Sequence, residues 1–311
     1  MKIVILGADG FLGSNMVSAL APRKAKLTAF CPRSPRLDLL RSKGVVVIEG
    51  SFLEPPTWSI PFEGVDWLIH FATTTTPIQS VQDPVRDAAN LTASKAIFRD
   101  AVDAGVKKIL FSSSGGTVYG DKATVPSKET DPTLALIPYT RTKLEIEREL
   151  LSRCEGTETL PVVLRYANPY GPNQYPASGT GVVTAWLESV RDNKPITLYG
   201  DGETARDFVY VADATQAALK ALESDNVRGI YNIGAGVPVS LNTLLRTIEH
   251  VVDTRLEIKR LPPRSSDAVK AIALDSTRAF VDFGWKPEVP LEEGITLTWK
   301  WVQSGEKFTI D

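Results

Sequence analysis

The segment KIVILG (2–7) is an unbroken apolar run that stops at a glycine. A run of that kind predicts a strand buried on both faces, because a strand with one wet face alternates apolar and polar residues. Segments 26–30, 45–50, 65–72, 107–114 and 160–166 repeat the pattern. Between them lie stretches with helical spacing. Residues 11–21 follow the first run directly. Residues 83–104 predict a long amphipathic helix that ends at Gly105, and 139–153 predict another, entered through Pro138. Strands that alternate with helices in this way build a doubly wound parallel sheet with helices on both faces, joined by right-handed connections.

Beyond residue 166 the rhythm breaks. Segment 167–181 is rich in Gly, Pro, Asn and Tyr and suits a binding loop. Residues 182–192 and 240–252 predict helices. Residues 196–223 predict a short strand, a polar turn, a strand and a helix, and 229–236 a further strand. Segment 262–267 is a loop, and 275–287 a short helix stopped at Gly284. A smaller α/β lobe interleaved with the first unit follows. The expected boundaries are 1–170 plus about 206–232 for the first unit, and about 171–205 plus 233–311 for the second.

Composition removes several classes. The chain has 311 residues, 43% hydrophobic and 23% charged, as ordinary globular proteins do. Its 35 Lys and Arg against 37 Asp and Glu give a net charge of -2, which argues against nucleic acid as a partner. No apolar run approaches the ~18–20 residues of a membrane span, so no membrane partner is expected. The early apolar run is too short for a secretory signal. Cys31 and Cys154 form no framework, which makes the cytoplasm the expected compartment. Two histidines, His70 and His250, cannot supply a three-His zinc site, and no metal is expected. His70, on a buried strand, reads as a packed, hydrogen-bonded residue. The charges between Arg141 and Arg153, Glu147 among them, mostly read as a solvated or dimer-flanking helix face.

The chemistry starts at Gly7-Ala8-Asp9-Gly10-Phe11-Leu12-Gly13, between the first strand and the first helix. One glycine makes the turn, one lets backbone approach a pyrophosphate, and one lets helix pack on strand. The helix N-terminus then offers free N–H groups and partial positive charge to an anion. In this position the motif predicts a Rossmann-like dinucleotide site. A ribose-binding acid is due about 20 residues later, at the end of the second strand. Cys31 stands there with no carboxylate at hand, and Arg33 could meet a 2′-phosphate. NAD is the expected cofactor, with NADP left open.

Tyr139 and Lys143 stand at i and i+4, on one face of a helix. A phenol with a reference pKa of ~10 is a poor base at neutral pH. An ammonium nearby, together with a positively charged nicotinamide, favours the phenolate. The pair could then exchange a proton with a substrate hydroxyl.

With these residues in place the chain resembles the extended short-chain dehydrogenase/reductase family, in particular its nucleotide-sugar epimerases and dehydratases. The matches run almost end to end: GADGFLG (7–13), DWLIHFA (66–72), Asn90, FSSSGGTVYG (111–120), PYTRTK (138–143), LRYANPYGP (164–172), LYGDGETARDFVYV (198–211), YNIGAG (231–236), PPRSSD (262–267) and GWKP (284–287). The resemblance implies that Tyr139 is the general acid/base and that Lys143 binds the nicotinamide ribose. Gly7, Gly10, Phe11, Leu12 and Gly13 would hold the cofactor, with Arg33, Ser51 and Phe52 on its adenosine side. Phe71, Ala72, Asn90 and Tyr166 would line it elsewhere. Asn168, Arg206 and Arg264 match the residues that clamp a sugar diphosphate, a task suited to guanidinium. Thr75, Gly181, Val182, Thr197 and Tyr199 complete the implied substrate set.

Departures from the family pattern narrow the reading. Counted back from the Tyr of V-Y-G, the catalytic Ser/Thr position falls on Gly115. Counted from the strand, it falls on Ser114, with Thr117 as the alternative. The acidic residues that the family's dehydratases and decarboxylases carry before V-Y-G are missing at Gly116 and Thr117. A small residue, Ala271, stands seven positions after Arg264, where bulk tends to exclude N-acetylated sugars. The resemblance thus implies a homodimeric, cytoplasmic 4-epimerase of UDP-hexoses or UDP-N-acetylhexosamines. A reductase or dehydrogenase of a nucleotide-linked sugar is the alternative, and a cofactor-sensing binding protein a third.

Overall fold

In β1 (Lys2–Leu6) both sets of alternating side chains are buried. Ile3 and Ile5 pack with Met16, Val17 and Leu20 of α1 (Phe11–Leu20). Val4 and Leu6 face the opposite layer. That double burial is the reason the run is unbroken. The chain continues through β2 (Lys26–Cys31), α2 (Leu37–Ser42), β3 (Val46–Glu49), β4 (Trp67–His70), α3 (Pro77–Gln82) and α4 (Pro84–Asp103). Next come β5 (Lys108–Ser114), α5 (Gly115–Val118), α6 (Pro138–Cys154) and β6 (Leu160–Tyr166). The remainder is β7 (Asn168–Tyr170), α7 (Val182–Arg191), β8 (Ile196–Tyr199), β9 (Ala205–Tyr210), α8 (Val211–Glu223), β10 (Gly229–Ile233), β11 (Pro238–Ser240), α9 (Leu241–Val252), β12 (Ile258–Leu261), α10 (Thr277–Phe283) and α11 (Leu291–Ser304). The computed structural model describes residues 1–54, 60–120, 125–175, 181–263, 269–306 and 308–310.

Seven strands form one sheet in the order β3-β2-β1-β4-β5-β6-β10, every neighbouring pair parallel. The chain order reverses between β1 and β4, so a crevice opens there at the carboxyl ends of the strands. One apolar layer includes α1, α2 and α8; the other holds α4 and α6 against Leu68, Ile109, Phe111 and Val163. Outside this sheet, β7 and β11 flank β9, and β8 pairs with β12. A separate core of Trp186, Leu187, Leu198, Phe208, Leu244 and Ile295 joins α7, α9 and α11 to these short strands.

Several elements carry no assignment in the hydrophobic pattern. Strands β7 and β11 have three residues each, too few for a period. Helix α3 is announced by chemistry instead: Thr76 and Gln79 form a capping box, Gln79 N–H donating to Thr76 Oγ1 at 3.3 Å and Thr76 N–H to Gln79 Oε1 at 3.1 Å. Helix α11 has Glu292 and Glu293 in its first turn and ends at Gly305 with φ 71°. Among the described residues no helix is long and apolar enough to cross a membrane.

Candidate active site

The glycine turn lies at the crevice. Gly7 has φ +77°, and a Cβ there would approach the Ala72 backbone N to 3.0 Å. This close approach puts Phe71 and Ala72, just past β4, against the turn. A Cβ on Gly13 would come to 2.1 Å from the Gly7 carbonyl, so helix and turn can close only on a glycine. Gly10 caps α1 without any side chain, so the first N–H groups of the helix, from Phe11, Leu12 and Gly13, have no side-chain cap. That cradle fits a dinucleotide pyrophosphate.

On the adenosine side, Ser51 and Phe52 follow β3, and the Phe52 ring meets His70 edge-on at 5.2 Å. Arg33 is exposed in the loop after β2. Contrary to the sequence expectation, a carboxylate is available at the end of β2. It is Asp9, whose Oδ2 accepts from Ser34 Oγ at 3.1 Å.

Tyr139 sits at the second position of α6, where its N–H has no helical partner. It donates to Ser80 Oγ of α3 at 3.1 Å instead, which fixes the start of the helix. The Tyr139 hydroxyl lies near Ser114, which acts on the phenol from the carboxyl end of β5. Thr117 Oγ1 donates to Ser114 Oγ at 3.1 Å. The structure thus places both candidate hydroxyls in one chain, with Ser114 near the phenol and Thr117 one step behind. Lys143 is buried. Its ammonium donates to Ser112 O at 2.9 Å and lies 4.7 Å from the Phe111 ring centre and 5.6 Å from that of Tyr139.

Charges in this corner do not favour a phenolate by themselves. Burial, then the negative charge of Asp87, hold the Tyr139 phenol above its ordinary value, and Ser114 opposes them only in part. Burial pushes the Lys143 ammonium down to about 8, with Asp87 and Glu147 pushing back.

Asp87 has no role in the motif reading. It is buried in α4, accepts from Thr75 Oγ1, and its Oδ2 meets no partner among the described residues. Asn90 Nδ2 donates to Thr75 Oγ1 at 3.2 Å, while Asn90 Oδ1 accepts from the N–H and hydroxyl of Thr74, each at 3.0 Å. Asn90 thus shapes the loop beside the crevice. The signal was in the chain: Asp87, Asn90 and Ser94 fall at i, i+3 and i+7, a polar stripe on the buried face of a helix.

Tyr166 is turned away. Its ring belongs to the core and its hydroxyl donates to Ala214 O at 3.3 Å. Asn168 Nδ2 donates to Asp207 O at 3.0 Å and stands beside Gly116. Arg206 on β9 is anchored through NH1 to Ala205 O at 2.8 Å and Val269 O at 2.9 Å. Ala271 bridges to Ala205, the residue before Arg206. Thr197 and Tyr199 share the half-buried face of β8. Gly181, at φ 83°, caps α7 ahead of Val182. Arg264 lies outside the described residues.

The structure corrects one reading of α6. Glu147 is not on a solvated face. It is 2% exposed and grips Arg165, itself 4% exposed.

The model of the NAD dependent epimerase/dehydratase family matches residues 3–234. The chain belongs to that family. A dTDP-4-dehydro-6-deoxyglucose reductase of Escherichia coli is 32% identical, over 94% of this chain and 95% of its own. A UDP-glucose 4-epimerase of Thermotoga maritima, solved with UDP-glucose, superposes with TM-score 0.90 at 31% identity, covering 98% of this chain and 99% of that one. A UDP-N-acetylglucosamine 4-epimerase of Methanobrevibacter ruminantium does so with TM-score 0.89 at 28% identity, covering 98% and 99%.

His70 gives a test of the fold beneath the site. It is 1% exposed, ringed edge-on by Phe52, Phe98 and Phe111, with Nε2 3.0 Å from Ser94 Oγ. Burial, helped by the Lys143 charge, pushes its pKa down to about 3. The unfolded chain binds a proton below ~6.5 that the folded chain refuses until about 3. Stability is therefore lost as pH falls through that window, at roughly 1.4 kcal/mol per pH unit. Thermal melts of wild type and His70→Phe from pH 7.5 to 5 should show the variant losing less. Parallel curves would contradict this.

Proposed function

We propose that this chain is a nucleotide-sugar 4-epimerase that takes UDP-hexoses or UDP-N-acetylhexosamines and uses NAD as its bound cofactor. The observation that carries the reading is the Tyr139 hydroxyl near Ser114 at the crevice, with the buried Lys143 ammonium on the same helix face. When bound, NAD supplies a reversible hydride acceptor for sugar C4. Gly7, Gly10 and Gly13 with the N-terminus of α1 would hold its pyrophosphate, and Phe71, Ala72 and Lys143 its nicotinamide half.

Tyr139 Oη takes the proton of the sugar 4-hydroxyl as that carbon is oxidised. Ser114 Oγ donates to the reacting oxygen, and Thr117 backs it. Asn168, Arg206 and Arg264 hold the diphosphate while the 4-keto sugar turns over. Tyr139 then returns the proton to the new alcohol on the opposite face. Elimination of water needs an acid and a base beside the ring, and Gly116 and Thr117 offer neither. A reductase of a nucleotide-linked keto sugar is the second reading, favoured by the Escherichia coli relative. Incubation with UDP-galactose separates the two: UDP-glucose forming without net loss of NADH or NADPH supports the epimerase, and stoichiometric consumption with a keto sugar supports the reductase.

Ala271 makes the substrate call specific. Its small side chain, where bulk would exclude an N-acetyl group, leaves room for an acetamido group, so UDP-GlcNAc should turn over. Ala271→Tyr should lower kcat/KM for UDP-GlcNAc at least ~10-fold more than for UDP-glucose, by steric exclusion. No detectable turnover of UDP-GlcNAc by the wild type would overturn the call. We also infer a cytoplasmic homodimer joined through α4 and α6; light scattering at twice the chain mass is the expected result.

A further inference from the structure

The end of β2 lacks the acid that a dinucleotide site uses for the adenosine ribose. Cys31 there is fully buried. The space above it is filled from elsewhere in the chain. The Asp9 carboxylate reaches over from the glycine turn toward Cys31 and accepts from Ser34 Oγ at 3.1 Å. Its backbone is held as well: Arg36 donates to Asp9 O at 2.6 Å, with its guanidinium stacked 4.1 Å from the Tyr175 ring centre and 5.0 Å from that of Phe308. Arg36 is thus committed to the turn and two aromatic faces. Arg33 is exposed on the same loop.

We propose that Asp9, from the glycine turn, is the acceptor for the adenosine ribose hydroxyls that β2 does not provide, and that it makes the site selective for NAD over NADP. The assignment rests on the dinucleotide-binding reading above. A carboxylate already held by the Ser34 hydroxyl accepts from a 2′-hydroxyl without reorganisation. A 2′-phosphate placed against it meets like charge, at a point where Arg36 is already engaged. Arg33, exposed on the same loop, is the cation that could oppose this. The sequence position explains why the acid is easy to miss: it lies about 20 residues before the place where one is sought.

The test is direct binding. The purified protein is stripped of dinucleotide, and NAD and NADP are titrated calorimetrically at one ionic strength. Wild type should bind NAD at least ~10-fold tighter than NADP, the value of hydrogen bonds to a charged group. In Asp9→Asn, which keeps the shape and removes the charge, that ratio should fall by ~10-fold, mostly through tighter NADP. If Asp9→Asn folds poorly, Ser34→Ala is read instead; it frees the carboxylate and should weaken NAD at least ~2-fold. An unmoved ratio in Asp9→Asn, or a wild-type preference for NADP that Arg33→Ala abolishes, overturns the assignment alone. Failure of wild type to bind either dinucleotide overturns both it and the cofactor reading.

Discussion

Tyr139→Phe should lower kcat at least ~10²-fold, the low end for general acid–base catalysis, while the melting temperature stays within a few degrees of wild type. The ring's packing survives the change, and so does the hydrogen bond that orients it, because Ser80 holds the Tyr139 backbone N–H at 3.1 Å rather than the side chain. Only the oxygen near Ser114 is lost. KM for the nucleotide sugar should change little, since the diphosphate is held by other residues. Turnover within ~3-fold of wild type would remove Tyr139 from the role of proton acceptor. Loss of the melting transition would instead show that the phenol is structural.

Glu147 and Arg165 should produce the largest stability effect. Arg165 Nε lies 3.0 and 3.2 Å from the two Glu147 oxygens, and NH2 2.7 Å from Oε2. Ser113 also donates to Glu147, and Arg165 NH1 donates to Tyr119 Oη at 2.9 Å. That hydroxyl in turn donates to Asn232 Oδ1 at 2.7 Å. The network joins α6, β5, β6, β10 and the Tyr119 segment behind the catalytic hydroxyls. Glu147→Met leaves a buried guanidinium without its counter-ion and should cost about 3–5 kcal/mol. For a chain of this size that is a fall in melting temperature of roughly 5–8 °C. Glu147→Met with Arg165→Met removes both charges and should lose less than the single change. A double variant as unstable as the sum of the two singles would contradict the account. Stability is the readout, because Glu147 also helps keep Lys143 charged.

The site and the fold were legible in the chain to different depths. The strands of the large sheet announce themselves because each packs helices on both faces, so Ile3 and Val4 alike must be apolar. The glycine turn is readable because Gly7 and Gly13 leave no room for any other residue. The Tyr139–Lys143 pair is local, one helical turn apart. Partnerships across long sequence separations are a different matter. Glu147 sits among six other charges between Arg141 and Arg153, and nothing in that stretch says which one turns inward. Its partner Arg165 comes from a strand, and only packing unites them. Asp9 looks like a spacer inside a glycine motif until Ser34 and Cys31 are brought beside it. The phenol's electrostatics follow the same rule: the nearby ammonium is visible in the sequence, but the opposing burial and the Asp87 charge are not.

The central claim is that the sugar is oxidised and reduced at one carbon, with Tyr139 moving the proton. The most direct measurement follows the hydrogen on that carbon. UDP-galactose labelled with deuterium at C4 is converted in ordinary water, and the UDP-glucose formed is analysed by NMR. Complete retention of deuterium at C4, with its loss of turnover in Tyr139→Phe, is the predicted result. Washout of the C4 label to solvent, or product formed at full rate by the Phe variant, would contradict it.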